Sequence, residues 1–365
     1  MRIFHIGAEH FEELPALPPR LPAQGFLWVG SARRGFEPRI GELQAALQRW
    51  ELGTLVDLHV SDLLNDQLPS HFDYTSWYDL LVFRRLAAAH PPGAGAIEES
   101  PSSAGLARRV LQTIDTSPVG FAVFDRLLIT VHPTDCAVRD HFASRYLGLA
   151  GAGPADVRGS SRLPASAADL MLRMVNHMVD SYLELRRLLT RQLGQLQKDL
   201  LDARSRFEDW SVLLDSRNAL HTLEDTCEDQ RSAVQEWIDA LDEWPAEPDP
   251  ERRRERELLR VRSRDVLEHI ERVLQHVRRL EHSAESAVQM HFSALSHRTN
   301  DIMRTLTALT AVFLPLNLIT GFFGMNFEFM PLIHTHVGFW LAVMLMVLIG
   351  IGLGFLFRRK RYLGR

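Results

Sequence analysis

Asn300, Met303, Thr307, Thr310, Leu314 and Asn317 recur at steps of three and four residues. On a helix that rhythm places all six on one face. Most of the stripe lies in an apolar setting, because no residue from Thr305 to Phe327 is charged. Asparagine is costly in lipid unless it faces other helices or water, whereas a threonine hydroxyl can bond back to its own helix. Two arrangements satisfy such a stripe: hydrogen bonding between helices in a tight bundle, or the wall of a pore. As a pore wall it offers an ion amides, hydroxyls and apolar rings, and no fixed charge. Magnesium gives up its waters reluctantly, so a ring of neutral amide oxygens would hold the ion through its hydration shell. Asn326, just past the first helix, would supply such a ring at an outer mouth. Met303, Leu306 and Leu314 would be apolar constrictions that close by dewetting. Pro315 removes one backbone bond in the same segment and is the natural place for a kink.

Other candidate ligands have more ordinary readings beside the functional one. His334 and His336 stand in "HTH", and histidine suits zinc, nickel or cobalt better than magnesium. Two loop histidines are too few for a site, although several copies around an axis would assemble one. "LEDTCEDQ" stacks Glu224 over Glu228 and Asp225 over Asp229 on a helix, where like charges repel modestly. A regulatory magnesium ion would relieve that repulsion, and a solvated acidic face is the plainer account. His269 and His276 share a helix face and read as solvated or seam-edge residues. Cys136 and Cys227 are far apart and fit reduced structural thiols. The sequence has no phosphate loop, HExxH, GxSxG or CxxC pair, which argues against an enzyme. With a net charge of -5 and no basic domain, nothing points to nucleic acid.

The elements that must position the stripe follow from charge and proline patterning. Thr305–Phe327 and Val337–Phe357 are both uncharged, and each reaches the roughly 20 residues that span a bilayer. Arg298 and Arg304 precede the first run and "RRKRYLGR" follows the second, while residues 324–336 hold no lysine or arginine. The positive-inside rule puts both ends in the cytoplasm and the loop outside. The basic tail, 358–365, also suits anionic lipid, but needs no role beyond fixing topology. After "PAEPDP" (245–250) no proline or glycine occurs until Pro315. Leu259, Val266, Ile270, Val273, Val277, Leu280, Ala284 and Ala287 then give an a/d rhythm. The pattern predicts one helix over 251–323, about 110 Å long at 1.5 Å per residue, entering the membrane at about residue 305. Residues 167–250 predict antiparallel helices, one of them from about Asn218 to Trp244. Residues 1–150 read as a mixed α/β domain, with strands at 25–30, 78–86 and 120–132 and helices at 39–50 and 58–66. Residues 87–105 read as a surface loop and 151–166 as a linker. The N-terminus lacks the apolar core of a signal peptide, so the first domain is expected in the cytosol.

"TNDIMRTLTALTAVFLPLNLITGFFGMNFEFMP" resembles the C-terminal signature of the CorA family of divalent-cation channels, whose hallmark is Gly-Met-Asn after the first of two C-terminal transmembrane helices. "HVSDLLNDQLPSHFDYTSWYDLLVF" and "DRLLITVH" are similar, more loosely, to the family's N-terminal domain. The resemblance implies a homopentameric funnel in a bacterial inner membrane, built from a cytosolic α+β domain, long stalk helices and two transmembrane helices. It implies an outer selectivity site of Gly324, Met325 and Asn326. It also implies a pore lined by Asn300, Met303, Leu306, Thr310, Leu314 and Asn317, with Leu306 where helix geometry gives its neighbour Thr307. The cargo would be hydrated magnesium, with cobalt or nickel as companions, and no cofactor is implied. Leu332 and Gln289 stand where magnesium-selective members often carry acids, so an acidic sensor ring is not implied. The zinc-handling ZntB branch usually has glycine-rich sequence after Gly-Met-Asn, and "FEFMP" looks more like CorA. A zinc transporter, with or without proton coupling, is the runner-up; a non-conducting membrane-anchored structural or signalling protein is the third reading.

Overall fold

The structure, a computed structural model, describes residues 1–8, 10–88, 114–151, 163–201, 210–244, 248–325 and 336–359. Strands β1 (Arg2–Ile6), β2 (Phe11–Leu14) and β3 (Phe26–Ala32) come first, followed by helices α1 (Arg33–Phe36), α2 (Ile40–Arg49) and α3 (Asp57–Leu64). Next are β4 (His71–Tyr74) and β5 (Asp79–Arg84), a two-residue ladder of β6 (Ala87–Ala88) with β7 (Ile114–Asp115), then β8 (Pro118–Val123) and β9 (Leu127–His132). The rest is helical: α4 (Ala137–Gly151), α5 (Ala167–Asp180), α6 (Tyr182–Leu201), α7 (Trp210–Glu243), α8 (Pro250–Phe323) and α9 (His336–Arg359).

Seven strands form one sheet in the order β2-β1-β3-β9-β8-β5-β4, parallel only between β3 and β9. The central strands, "FLWVGSA" and "LLITVH", are buried almost throughout, as strands covered on both faces must be. One face packs Val29, Leu80, Ala122 and Ile129 against Phe36, Leu43 and Leu47. The other face meets α5, which touches β3, β8 and β9, and α7, which touches β4 and β5. Gly120 lets α3 lie close: a Cβ there would stand 2.4 Å from Leu63 Cδ2.

The helical region begins with a reciprocal cap. Ser166 Oγ accepts from the Asp169 N–H at 3.3 Å, and Asp169 Oδ2 accepts from the Ala165 N–H at 3.1 Å. Helix α8 starts with Asp249 accepting from the Glu251 N–H and Pro250 at the first helical position. It then runs unbroken through Pro315 to Phe323. By compactness the chain divides into two units, one of Met1–Asp199 and Phe207–Glu285 and the other of Leu200–Arg206 and Ser286–Arg365. The helices from Ala167 to Glu243 and the first half of α8 thus group with the sheet.

Several sequence expectations change here. Residues 120–132 are two antiparallel strands, not one, because Phe124 N–H donates to Leu127 O at 2.8 Å and closes a turn through Asp125 and Arg126. That turn has no glycine or proline to announce it. The helix expected from Asn218 begins at Trp210. Strands β1, β2 and β4 and helix α4 were not anticipated, being short or without a strong apolar period. Residues 89–105 of the expected loop and 152–162 of the expected linker lie outside the described residues.

Candidate functional site

In the second unit, α8 from Ser286 and α9 each have one covered stripe. On α8 it runs through Ala308, Val312, Pro315, Ile319 and Phe323; on α9 through Gly338, Ala342, Met346, Ile349, Leu353 and Phe357. Within these two stripes the buried residues are small, Ala308, Gly338 and Ala342, which lets helix backbones approach closely. At about 100° per residue, the stripe from Asn300 to Asn317 lies roughly half a turn away from the covered stripe of α8. Asn300, Met303, Leu306, Thr307, Thr310, Leu314 and Asn317 are all exposed in the single chain. The helix thus turns one face to its own chain and its polar face to whatever else surrounds it.

The hydroxyl chemistry on that face is one-sided. Thr307 Oγ1 donates to Met303 O at 2.7 Å, and Thr310 Oγ1 donates to Leu306 O at 2.9 Å. Each hydroxyl hydrogen is spent inside the helix, which leaves oxygen lone pairs on the outside. Such oxygens accept from water hydrogens, the groups that a hydrated cation presents. Asp301, the nearest acid, lies off the stripe and pairs with Arg304 at 3.8 Å.

The helix ends as its last carbonyls close. Gly324 N–H donates to Thr320 O at 2.9 Å, and Met325 N–H to Phe322 O at 3.4 Å. A Cβ on Gly324 would stand 2.9 Å from Thr320 O, so a side chain there would push the turn open. Gly324 and Met325 are exposed. Asn326 and His334 lie outside the described residues. His336 is the first residue of α9 and is exposed.

The acidic quartet lies on α7 in the first unit, and the structure answers its repulsion with an arginine. Arg278 of α8 donates from Nε to Glu224 Oε1 at 2.6 Å and from a terminal nitrogen to Glu228 Oε1. That hydrogen bond holds Glu224 below the usual carboxylate range. Asp229 is pushed up, first by burial and then by Asp225. Asp225 stands 4.0 Å from His221. The four acids are therefore not gathered on one point. Glu224 instead joins His221 and Glu281, with ligand atoms within 4.8 Å of one another.

The reading of His276 as solvated or seam-edge is corrected. His276 is buried, with Nδ1 2.8 Å from Tyr182 Oη and Nε2 3.4 Å from Thr190 Oγ1, and burial lowers its pKa to about 4. A helix two elements earlier covers it, which periodicity along α8 does not reveal. His269 is the edge residue expected, 3.6 Å from Asp180. Cys136 and Cys227 are free and buried, and burial raises both thiols, Cys227 to about 12.

Comparison with known proteins bears on the whole arrangement. A family described as CorA-like Mg2+ transporter protein matches residues 106–359. The cobalt/magnesium transport protein CorA of Thermotoga maritima is 30% identical over 100 residues, 27% of this chain and 28% of the relative. The magnesium transport protein CorA of Sodalis glossinidius is 35% identical over 101 residues, 28% of this chain and 32% of the relative. These alignments thus span about a third or less of the curated relatives. Among solved structures, the complete CorA magnesium transporter from Methanocaldococcus jannaschii superposes with a TM-score of 0.72 at 18% identity, covering 100% of this chain and 99% of that one. The full-length CmaX protein gives 0.59 at 19% identity, covering 99% and 97%. At such identities the likeness speaks for the fold.

Proposed function

The chain belongs to the CorA-like Mg2+ transporter family, and from that premise we propose that it is a divalent-cation channel passing hydrated magnesium. The observation that carries this reading is the stripe from Asn300 to Asn317. It is a row of amides, outward hydroxyl oxygens and apolar side chains on the face of α8 left uncovered by its own unit. Several copies, five in the family's arrangement, would bring that face to a common axis with α9 outside. Thr307 and Thr310 would accept from the ion's waters, and Met303, Leu306 and Leu314 would close the path when dry. Gly324 and Met325 would end the helix so that Asn326 rings the outer mouth. Both ends of the chain would lie in the cytoplasm of a bacterial inner membrane, as the flanking arginines favour. A membrane potential, worth about 2.3 kcal/mol per charge per 100 mV, would then drive entry. Cobalt and nickel would be secondary cargo.

Cation uptake into proteoliposomes tests this, with separate batches loaded with magnesium- and zinc-sensitive dyes. Wild type should admit magnesium, and Asn326→Ala should abolish entry while the protein stays folded and oligomeric. Zinc entry without magnesium would overturn the magnesium assignment, and flux of neither ion would overturn transport itself.

A further inference from the structure

The N-terminal hairpin carries a group of ligands that the cation pathway does not use. His5 and Glu12 are direct cross-strand partners on β1 and β2, so their side chains share one face of the sheet edge. The neighbouring residues Phe4, Ile6 and Phe11 are buried. The Gly7 N–H donates to His10 O at 2.7 Å and folds the connection back, which sets the His10 ring 5.6 Å from the His5 ring. His10 Nε2 lies 3.1 Å from Glu12 Oε2, and His5 Nδ1 lies 3.5 Å from Glu12 Oε1.

The protons make this arrangement informative. His5 Nε2 lies 3.0 Å from Gln24 O. A carbonyl only accepts, so Nε2 carries the hydrogen, and in the neutral ring Nδ1 is left bare. Nδ1 and the Glu12 carboxylate then face each other with lone pairs on both sides. A metal ion between them would make that contact favourable, as would a second proton on the ring. The Nε2–H bond to a backbone carbonyl is also the support that metal-bound histidines commonly have, since it fixes the ring and its tautomer. One ligand atom from each of His5, His10 and Glu12 falls within a 4.8 Å group.

We infer that His5, His10 and Glu12 bind a divalent cation of the zinc, cobalt or nickel class. Two imidazoles and one carboxylate suit that class, whereas magnesium prefers oxygen ligands. Three protein ligands leave a fourth position to water. Glu12 and His10 are well exposed, so the ion can enter from solvent without the hairpin opening. The site lies in the first unit and does not rest on the transport reading.

Full-length protein stripped of metal and titrated with cobalt(II) alone, in excess magnesium, tests the inference. Bound cobalt is counted after dialysis, and the visible absorption reports its ligands. Wild type should hold one more cobalt per chain than His5→Ala, His10→Asn or Glu12→Ala. The extra equivalent should be lost on acidification, because the ligands hold metal only when deprotonated. His10→Asn lies outside both strands and should melt like wild type, so its lost equivalent is not an effect of misfolding. Equal cobalt content in wild type and all three variants, or displacement of the extra ion by magnesium, would overturn the site and leave an ordinary histidine–glutamate pair.

Discussion

Helix α8 is one uninterrupted element in two environments. Below Glu285 its seam is sealed by its own chain: Leu259 is 4% exposed, and Ile270 and Val277 are 0%. Above Ser286 the same helix leaves Leu306 at 56%, Leu314 at 69% and Leu318 at 74%. The first half satisfies its polar groups at home, with Trp237 Nε1 donating to Ser263 Oγ at 3.0 Å and His276 meeting Tyr182. The second half turns its polar stripe and most of its apolar surface outward. A water-soluble chain rarely exposes so continuous an apolar surface. The difference separates residues whose partners are encoded in this chain from those that the chain leaves uncovered, which the proposed channel would give to lipid and further copies.

The comparison breaks most sharply under core truncation. Ile270→Ala should cost about 2–5 kcal/mol of stability in denaturant melts of the first unit. Leu314→Ala should leave those melts unchanged and instead raise resting cation leak in proteoliposomes, because in the proposed pore it would remove an apolar constriction. Equal destabilisation by the two would show that the upper half of α8 is packed like the lower.

Acid should sharpen the contrast. Burial lowers His276 to about 4 and His132 to about 3, from an ordinary 6.5. Between those values the unfolded chain binds more protons, so stability is full above about pH 6.5 and falls on acidification, by about 1.4 kcal/mol per pH unit per proton. Asp79 opposes this, since burial raises it to about 6 and makes the folded state take up a proton first. The net slope near pH 5 should be roughly one proton, and His276→Gln should flatten it. A slope that His276→Gln leaves unchanged would remove His276 from the account.

The smallest effect belongs to Arg278→Ala, at an exposed bridge. It should soften melting only slightly at neutral pH, and the difference should vanish as pH falls through the carboxylate range and Glu224 takes up a proton. Millimolar magnesium restoring the variant's melting would show that a cation can replace the arginine between Glu224 and Glu228.

Much of this was legible in the order of residues. The two apolar spans, the long helix and the polar stripe all follow from local rules: where charge stops, where proline and glycine are missing, and which residues return every three or four positions. The turn at Asp125 and Arg126 was missed because apolar residues flank it closely and no glycine or proline marks it. His276 was misjudged because its burial depends on Tyr182 and Thr190, far upstream. His5, His10 and Glu12 were passed over because their meeting depends on strand register, which β1 and β2 do not announce.

The sequence by itself determined the long helix, the two apolar runs and which face of α8 is polar, because periodicity and hydropathy act between near neighbours. Only the tertiary structure decided that Arg278 rather than a cation lies against Glu224 and Glu228, that His276 is buried, and that a hairpin gathers three metal-type ligands. Those outcomes depend on contacts between residues remote along the chain, and only folding fixes which remote groups come within a hydrogen bond of each other.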